Sequence, residues 1–176
     1  MNRAKNVIDM RASKGFSPSQ SNEHLRCLSD CERAQKARWN YDPSREHLNF
    51  EIGKGGVVME VNKSKTINQR IKENLDSRGI VNPNKKYIDQ GLAPKYRTVA
   101  NFILGGNREV MRNLAFGNQE VDWEHGADNI SLERMPEIEA WAKDAYAFMC
   151  KKFGEQNIAA FVVHLDEANP HVHCTV

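Results

Sequence analysis

An unbroken apolar run, Ile158 to Val163, leads directly into His164-Leu165-Asp166-Glu167-Ala168-Asn169-Pro170-His171-Val172-His173. Six apolar residues are too few for a membrane span and fit a central strand buried on both faces. In extended chain, residues two apart share a face, so His171 and His173 project together while Val172 faces the opposite, apolar side. With Ala168-Asn169 as the turn and Pro170 stiffening the return, His164 comes opposite that pair. Three imidazoles then surround one point and leave coordination positions open, which suits catalysis or ligand binding more than a closed structural knot. Asp166 and Glu167 can orient the imidazoles from behind, or one of them can add a carboxylate ligand. Cys174 points away from His173 and is excluded as a ligand.

The rest of the chain reads as strands and helices with no internal repeat. Asn6 to Arg11 is a strand candidate, Ser13 to Ser21 a polar loop, and Asn22 to Arg38 one helix carrying Leu25, Leu28, Ala34 and Ala37. Leu48, Phe50 and Ile52 alternate up to Gly53-Lys54-Gly55-Gly56, and Val57 to Val61 returns as the second strand of a hairpin. Ser64 caps a helix to about Ser77, with Gly79 past its end. Pro83 to Arg97 is a polar connector, Thr98 to Leu104 a strand, and a short helix ends at Gly117. Residues 118 to 135 form a long loop, and Pro136 opens a helix that stops at Gly154. This order predicts an α+β two-layer domain with a largely antiparallel central sheet and helices packed on it.

The 176 residues make one domain's worth of chain. With 40% hydrophobic and 27% charged residues, a mainly disordered chain is excluded. Arg3, Lys5 and Asp9 stand where a signal peptide needs its apolar stretch, so the expected location is cytoplasmic, away from membranes. Cys27, Cys31, Cys150 and Cys174 form no disulfide framework and are expected to be reduced; Cys27 and Cys31, four apart, read as small packed side chains. The net charge is +2, yet residues 1 to 97 hold 19 Lys+Arg against 11 Asp+Glu and residues 98 to 176 hold 6 against 12. A basic front half suits a polyanionic partner, with Lys63, Lys65, Arg70 and Lys72 as candidate contacts to it.

The histidine segment resembles the metal-binding motif of the MobV (Mob/Pre) relaxases, the plasmid mobilisation or recombination enzymes of the HUH endonuclease superfamily. Asn40-Tyr41-Asp42-Pro43-Ser44-Arg45-Glu46-His47-Leu48-Asn49-Phe50-Glu51 is similar to the family block before the first hairpin, and Ser21 to Arg26 lies where the first family motif is expected. The likeness runs from about residue 5 to the end. It implies an HUH-type domain that nicks one strand of single-stranded or origin DNA at a transfer origin and stays joined to the 5′ phosphate. The metal ligands would be His164, His171 and His173, with manganese or magnesium as the ion and zinc as an alternative. Other mobilisation proteins would be further partners. The nucleophile would be His24, although His24-Leu25-Arg26 departs from the family's common His-x-x-Arg.

Phosphodiester attack needs an in-line nucleophile and positive charge on the non-bridging oxygens. Arg26 and Arg45 are candidates to grip phosphates, while Glu51, Asp166 or Glu167 can position the nucleophile or an imidazole. Attack requires neutral imidazole, so cleavage is expected to fail as pH falls through about 6.5, the ordinary histidine value. Two other readings stand beside this one. A related HUH replication initiator or transposase would use Tyr41, Tyr87 or Tyr96, and a DNA-binding regulator would hold a structural metal without cleaving. His47 reads as a packing or capping residue and His125 as incidental. Because the chain stops three residues after His173, the expectation is a relaxase domain over residues 1–176, truncated at its C-terminal end.

Overall fold

Ser17-Pro18-Ser19-Gln20 opens the first helix instead of lying in a loop. In the computed structural model, which describes residues 6–176, Ser17 caps helix α1 (Pro18–Leu25) reciprocally with Gln20, and Pro18 occupies the first turn. Proline there loses no hydrogen bond that the helix needs, so its presence marks a start. The single helix expected over 22–38 is two. Arg26 takes a left-handed conformation, φ 54° and ψ 36°, and closes α1; Ser29 then caps α2 (Asp30–Lys36). A left-handed conformation is costly for a side chain with a Cβ, and the buried partners of Arg26 described below hold it there.

Six strands form one antiparallel sheet in the order β1-β4-β6-β5-β2-β3, with β1 Val7–Ser13, β2 Phe50–Gly53, β3 Val57–Met59, β4 Val99–Gly105, β5 Ala160–His164 and β6 His171–Thr175. The predicted β2–β3 hairpin is present. Four further helices are α3 (Ile67–Ser77), capped by Thr66 and not by Ser64, α4 (Lys85–Ile88) inside the expected connector, α5 (Arg108–Phe116) and α6 (Pro136–Phe153). Ser64 instead donates to the Asn62 side chain in a local turn.

While the edge strands β1 and β3 stay largely exposed, the central strands bury both faces. On one, Phe50, Ile52, Phe102, Leu104, Phe161, Val163, Val172 and Cys174 pack with Met111, Phe116, Ile138 and Met149 from α5 and α6. On the other, Ala160 and Val162 pack with Leu25 of α1 and Ile67 of α3. The α+β class and the largely antiparallel sheet are therefore as the sequence predicts, but helices lie on both faces, α5 and α6 on one and α1 and α3 on the other, where two layers were expected. All five residues of β5 are buried, because it lies between β6 and β2 with helices above and below. No helix among the described residues is long and apolar enough to cross a membrane. Arg3 and Lys5, used in reading the N-terminus, lie outside the described residues.

Candidate metal centre

The β5–β6 hairpin places the histidines as the spacing requires. His164 pairs with His171 across the ladder and Val162 with His173; Val172 and Cys174 join the core on the far face. Ring centroids lie 5.5 Å apart for His164–His171, 4.8 Å for His164–His173 and 4.7 Å for His171–His173. One ligand nitrogen from each lies within 4.8 Å of the other two.

Tautomers follow from the second nitrogens. His164 Nε2 lies 2.8 Å from the His24 carbonyl and His171 Nδ1 2.9 Å from the Asn169 carbonyl. A carbonyl only accepts, so both nitrogens carry hydrogen, leaving lone pairs on His164 Nδ1 and His171 Nε2. His164 Nδ1 is buried without a partner, and His171 Nε2 faces His173 Nε2 at 2.9 Å. Inward-facing lone pairs and an orphaned buried nitrogen fit a borderline divalent cation. Burial, together with mutual charge, lowers the pKa of His171 and His173, which keeps these two rings neutral and ready to ligate.

His24 is the fourth ring. On the last turn of α1, it stacks on His173 with centroids 4.0 Å apart and is edged by Phe16 at 5.3 Å. Its Nδ1 is buried and unpartnered. Burial first, then the charges of His164 and Arg26, lowers its pKa to about 3. An acid limb near pH 6.5 is therefore not expected from His24. The shift has a cost in stability. Below about pH 6.5 the unfolded chain takes up a proton that folded His24 refuses, so stability falls by roughly 1.4 kcal/mol per pH unit for each such histidine. In chelator-treated protein the urea midpoint should be clearly lower at pH 5 than at pH 7.5; equal midpoints would contradict the burial of these rings.

The loop between the ligands is gripped from below by the block Asn40 to Asn49. Asn49 Oδ1 accepts from the Leu165 and Asp166 amides at 2.7 and 3.2 Å, and its Nδ2 donates to Asp166 at 2.6 Å. Asn40 donates to Glu167, the Asp42 amide donates to the Asp166 carbonyl, and Arg45 Nη1 donates to the Leu165 carbonyl. Arg26 donates to both Asp166 oxygens at 2.7 and 2.8 Å and to Glu167 at 2.7 Å. Asp166 and Arg26 are almost wholly buried. Glu167, held below the usual carboxylate range by His164, His171 and Arg26 against the effect of burial, lies 3.8 Å from His164 Nδ1. Asp166→Ala would strip the buried Arg26 guanidinium of its two-pronged partner, leaving it Glu167 alone, and should destabilise the fold by about 3–5 kcal/mol; Asn49→Ala should cost about 1–3 kcal/mol, both measured by urea unfolding.

Several expected site residues are placed differently. Arg26 and Arg45 are spent on the protein: Arg45 pairs with Asp42 and lies over Phe116 and Trp123. They position the loop and do not face outward to grip phosphate. Glu51 is on the ligand face but its carboxylate is taken by Arg70 and the Asn62 amide, because α3 packs beside β2. Lys63, Lys65 and Lys72 each have a carboxylate partner, Glu46, Glu73 and Asp76. Cys27 and Cys31 are exposed, not packed, and all four cysteines are free. His47 bonds the Leu132 carbonyl and His125 the Ala37 carbonyl, outside the imidazole cluster. The pinning roles of Asn40 and Asn49 were not assigned from the sequence, although both lie in the block that carries the resemblance.

The family model described as plasmid recombination enzyme (Mob_Pre) matches residues 115–176. A plasmid recombination enzyme of Streptococcus agalactiae is 27% identical over 120 residues, covering 62% of this chain. The chain spans about a quarter of that relative's length, 24%. Two manganese-bound crystal structures of the MobM relaxase domain with plasmid pMV158 oriT DNA, at pH 5.5 and pH 4.6, superpose with TM-scores of 0.62 and 0.59 at 20% and 18% identity. Each covers 97% of this chain and 69% of the MobM chain. In sequence over its C-terminal third and in fold over nearly its whole length, the chain bears out its resemblance to the MobV (Mob/Pre) family.

Proposed function

We propose that this chain is the catalytic part of a relaxase that, with a divalent metal, nicks one strand of transfer-origin DNA and carries the cut strand as a covalent 5′-phosphate adduct on His24. The observation that carries this reading is the cluster itself: three inward-facing imidazoles with a fourth, neutral one stacked against them. His164, His171 and His173 would hold the ion, manganese as in the MobM structures or magnesium, and the ion would supply Lewis-acid polarisation of the scissile phosphate. His24 offers a lone pair to phosphorus. The new N–P bond forms as the P–O3′ bond breaks, the 3′ oxygen takes up a proton, and the displaced strand ends in a hydroxyl. Transfer to another 3′ hydroxyl reverses these events. Glu167 and Arg26 keep the ligand loop and α1 in register.

The tyrosine reading draws less support. The Tyr41 hydroxyl is engaged by Arg33 and Glu46, and burial raises its pKa, whereas His24 is unpartnered. Tyr87 and Tyr96 sit in the 83–97 connector, edge to face with each other. Exposed pairs such as Lys65–Glu73 and Lys72–Asp76 hold their lysines weakly, leaving those ammonium groups able to exchange a carboxylate for a DNA phosphate. The test is incubation of the chain with supercoiled plasmid bearing the DNA that flanks its own gene, in manganese or magnesium. Open-circular product that disappears with chelator is expected; no nicked product in any divalent ion would favour a DNA-binding regulator.

A further inference from the structure

The candidate DNA cations of the basic half have carboxylate partners, but Arg112 in the acidic half pairs with no carboxylate among the described residues. Arg112 lies on α5 one turn after Arg108. Its Nε donates to the Ala168 carbonyl at 2.8 Å, in the loop that joins the ligand histidines. Its guanidinium carbon stands 3.4 Å from the Trp123 ring centroid, and Arg45 lies over the same ring at 4.7 Å. Burial, with the neighbouring cations Arg108 and Arg45, pulls its pKa below the ordinary arginine value. Its terminal nitrogens donate to no protein group among the described residues.

A guanidinium fixed by an indole face and a backbone carbonyl has already lost its rotamer freedom, so little further ordering is needed to bind. Two neighbouring cations, and terminal nitrogens that no carboxylate takes up, suit a doubly hydrogen-bonded oxyanion. Glu109 lines the cleft on one side and Asp42, Asp122 and Glu124 the cleft on the other, a setting that favours a single anionic group over a broad polyanionic surface. We propose that Arg112, assisted by Arg108 and braced by Trp123, is a subsite for one backbone phosphate of the single-stranded DNA that runs past the ligand loop. The inference rests on the relaxase reading and adds to it a residue that fixes the strand at the loop joining the ligand histidines.

The test measures anisotropy of a short labelled single-stranded oligonucleotide across a range of KCl concentrations, with the metal-loaded chain. Arg112→Ala should weaken binding about tenfold and flatten the slope of log affinity against log salt by about 0.7, while its manganese affinity by calorimetry is unchanged. Arg112→Lys should restore the slope but not the full affinity, since the charge returns without the fork. Lys143→Ala, on exposed α6 surface, should change neither. An unchanged slope in Arg112→Ala overturns the subsite, as does a loss of metal affinity that Arg112→Lys fails to repair, which would make Arg112 only a brace for the loop. Slope changes as expected without any plasmid nicking would overturn the nicking reading alone. No oligonucleotide binding by the parent chain would overturn both.

Discussion

His24→Ala is expected to bind manganese and single-stranded DNA as the parent does, to lose nicking by more than about a thousandfold, and to form no covalent adduct. The reason is geometric: its backbone carbonyl, which fixes His164, survives the substitution, and only the stacked ring is lost. The parent's adduct should survive alkali and fall apart in acid, because a phosphorus–nitrogen bond to imidazole is acid-labile whereas a tyrosine ester is not. Denaturing gels of protein incubated with origin oligonucleotide read both properties. An acid-stable adduct, or a normal adduct from His24→Ala, would move the role to a tyrosine, with Tyr41 first to be replaced.

Replacing His164, His171 or His173 by alanine should abolish nicking and weaken divalent-ion binding by more than the ~10–100-fold typical of losing an outer partner of a ligand. His164 should be the most damaging of the three. It is fully buried, and its removal also leaves the His24 carbonyl without its donor, so that variant should lose fold stability as well as metal. Calorimetric titration and urea unfolding of the three variants separate the two losses. Unchanged ion affinity in all three would dismantle the proposed centre.

The strand pair that carries these histidines was legible because two independent periodicities agree there: a continuous apolar run requires burial on both faces, and His-Val-His alternation requires one face to differ from the other. The antiparallel β2–β3 hairpin was legible for the same kind of reason, alternation into a glycine-rich turn. Helix boundaries near the N-terminus were not. Pro18 reads as a loop former unless it is seen as a first-turn residue behind Ser17, and nothing local announces that Arg26 will adopt a left-handed backbone. That conformation is paid for by Asp166 and Glu167, which are 140 residues away in sequence or nearly so. The same non-locality hid the fate of the arginines. Composition shows that Arg26, Arg45 and Arg70 are cations, but only the folded chain shows that each is matched to a carboxylate, while Arg112 in the acidic half is not.

One side chain links the two halves of the centre. Arg26 sits two residues after His24 and clasps Asp166 and Glu167 of the ligand loop, while the His24 carbonyl holds His164. Docking of α1 and closure of the loop are therefore a single cooperative event, and a ligand that favours one favours the other by the same free energy. Ion occupancy then governs the local opening of residues 18–26. Amide hydrogens of α1 should exchange with solvent more slowly in the metal-loaded protein than in the chelated one, and the junction 27–29 should resist proteolysis in step, so that a bound ion would order the helix of His24 along with its own cage.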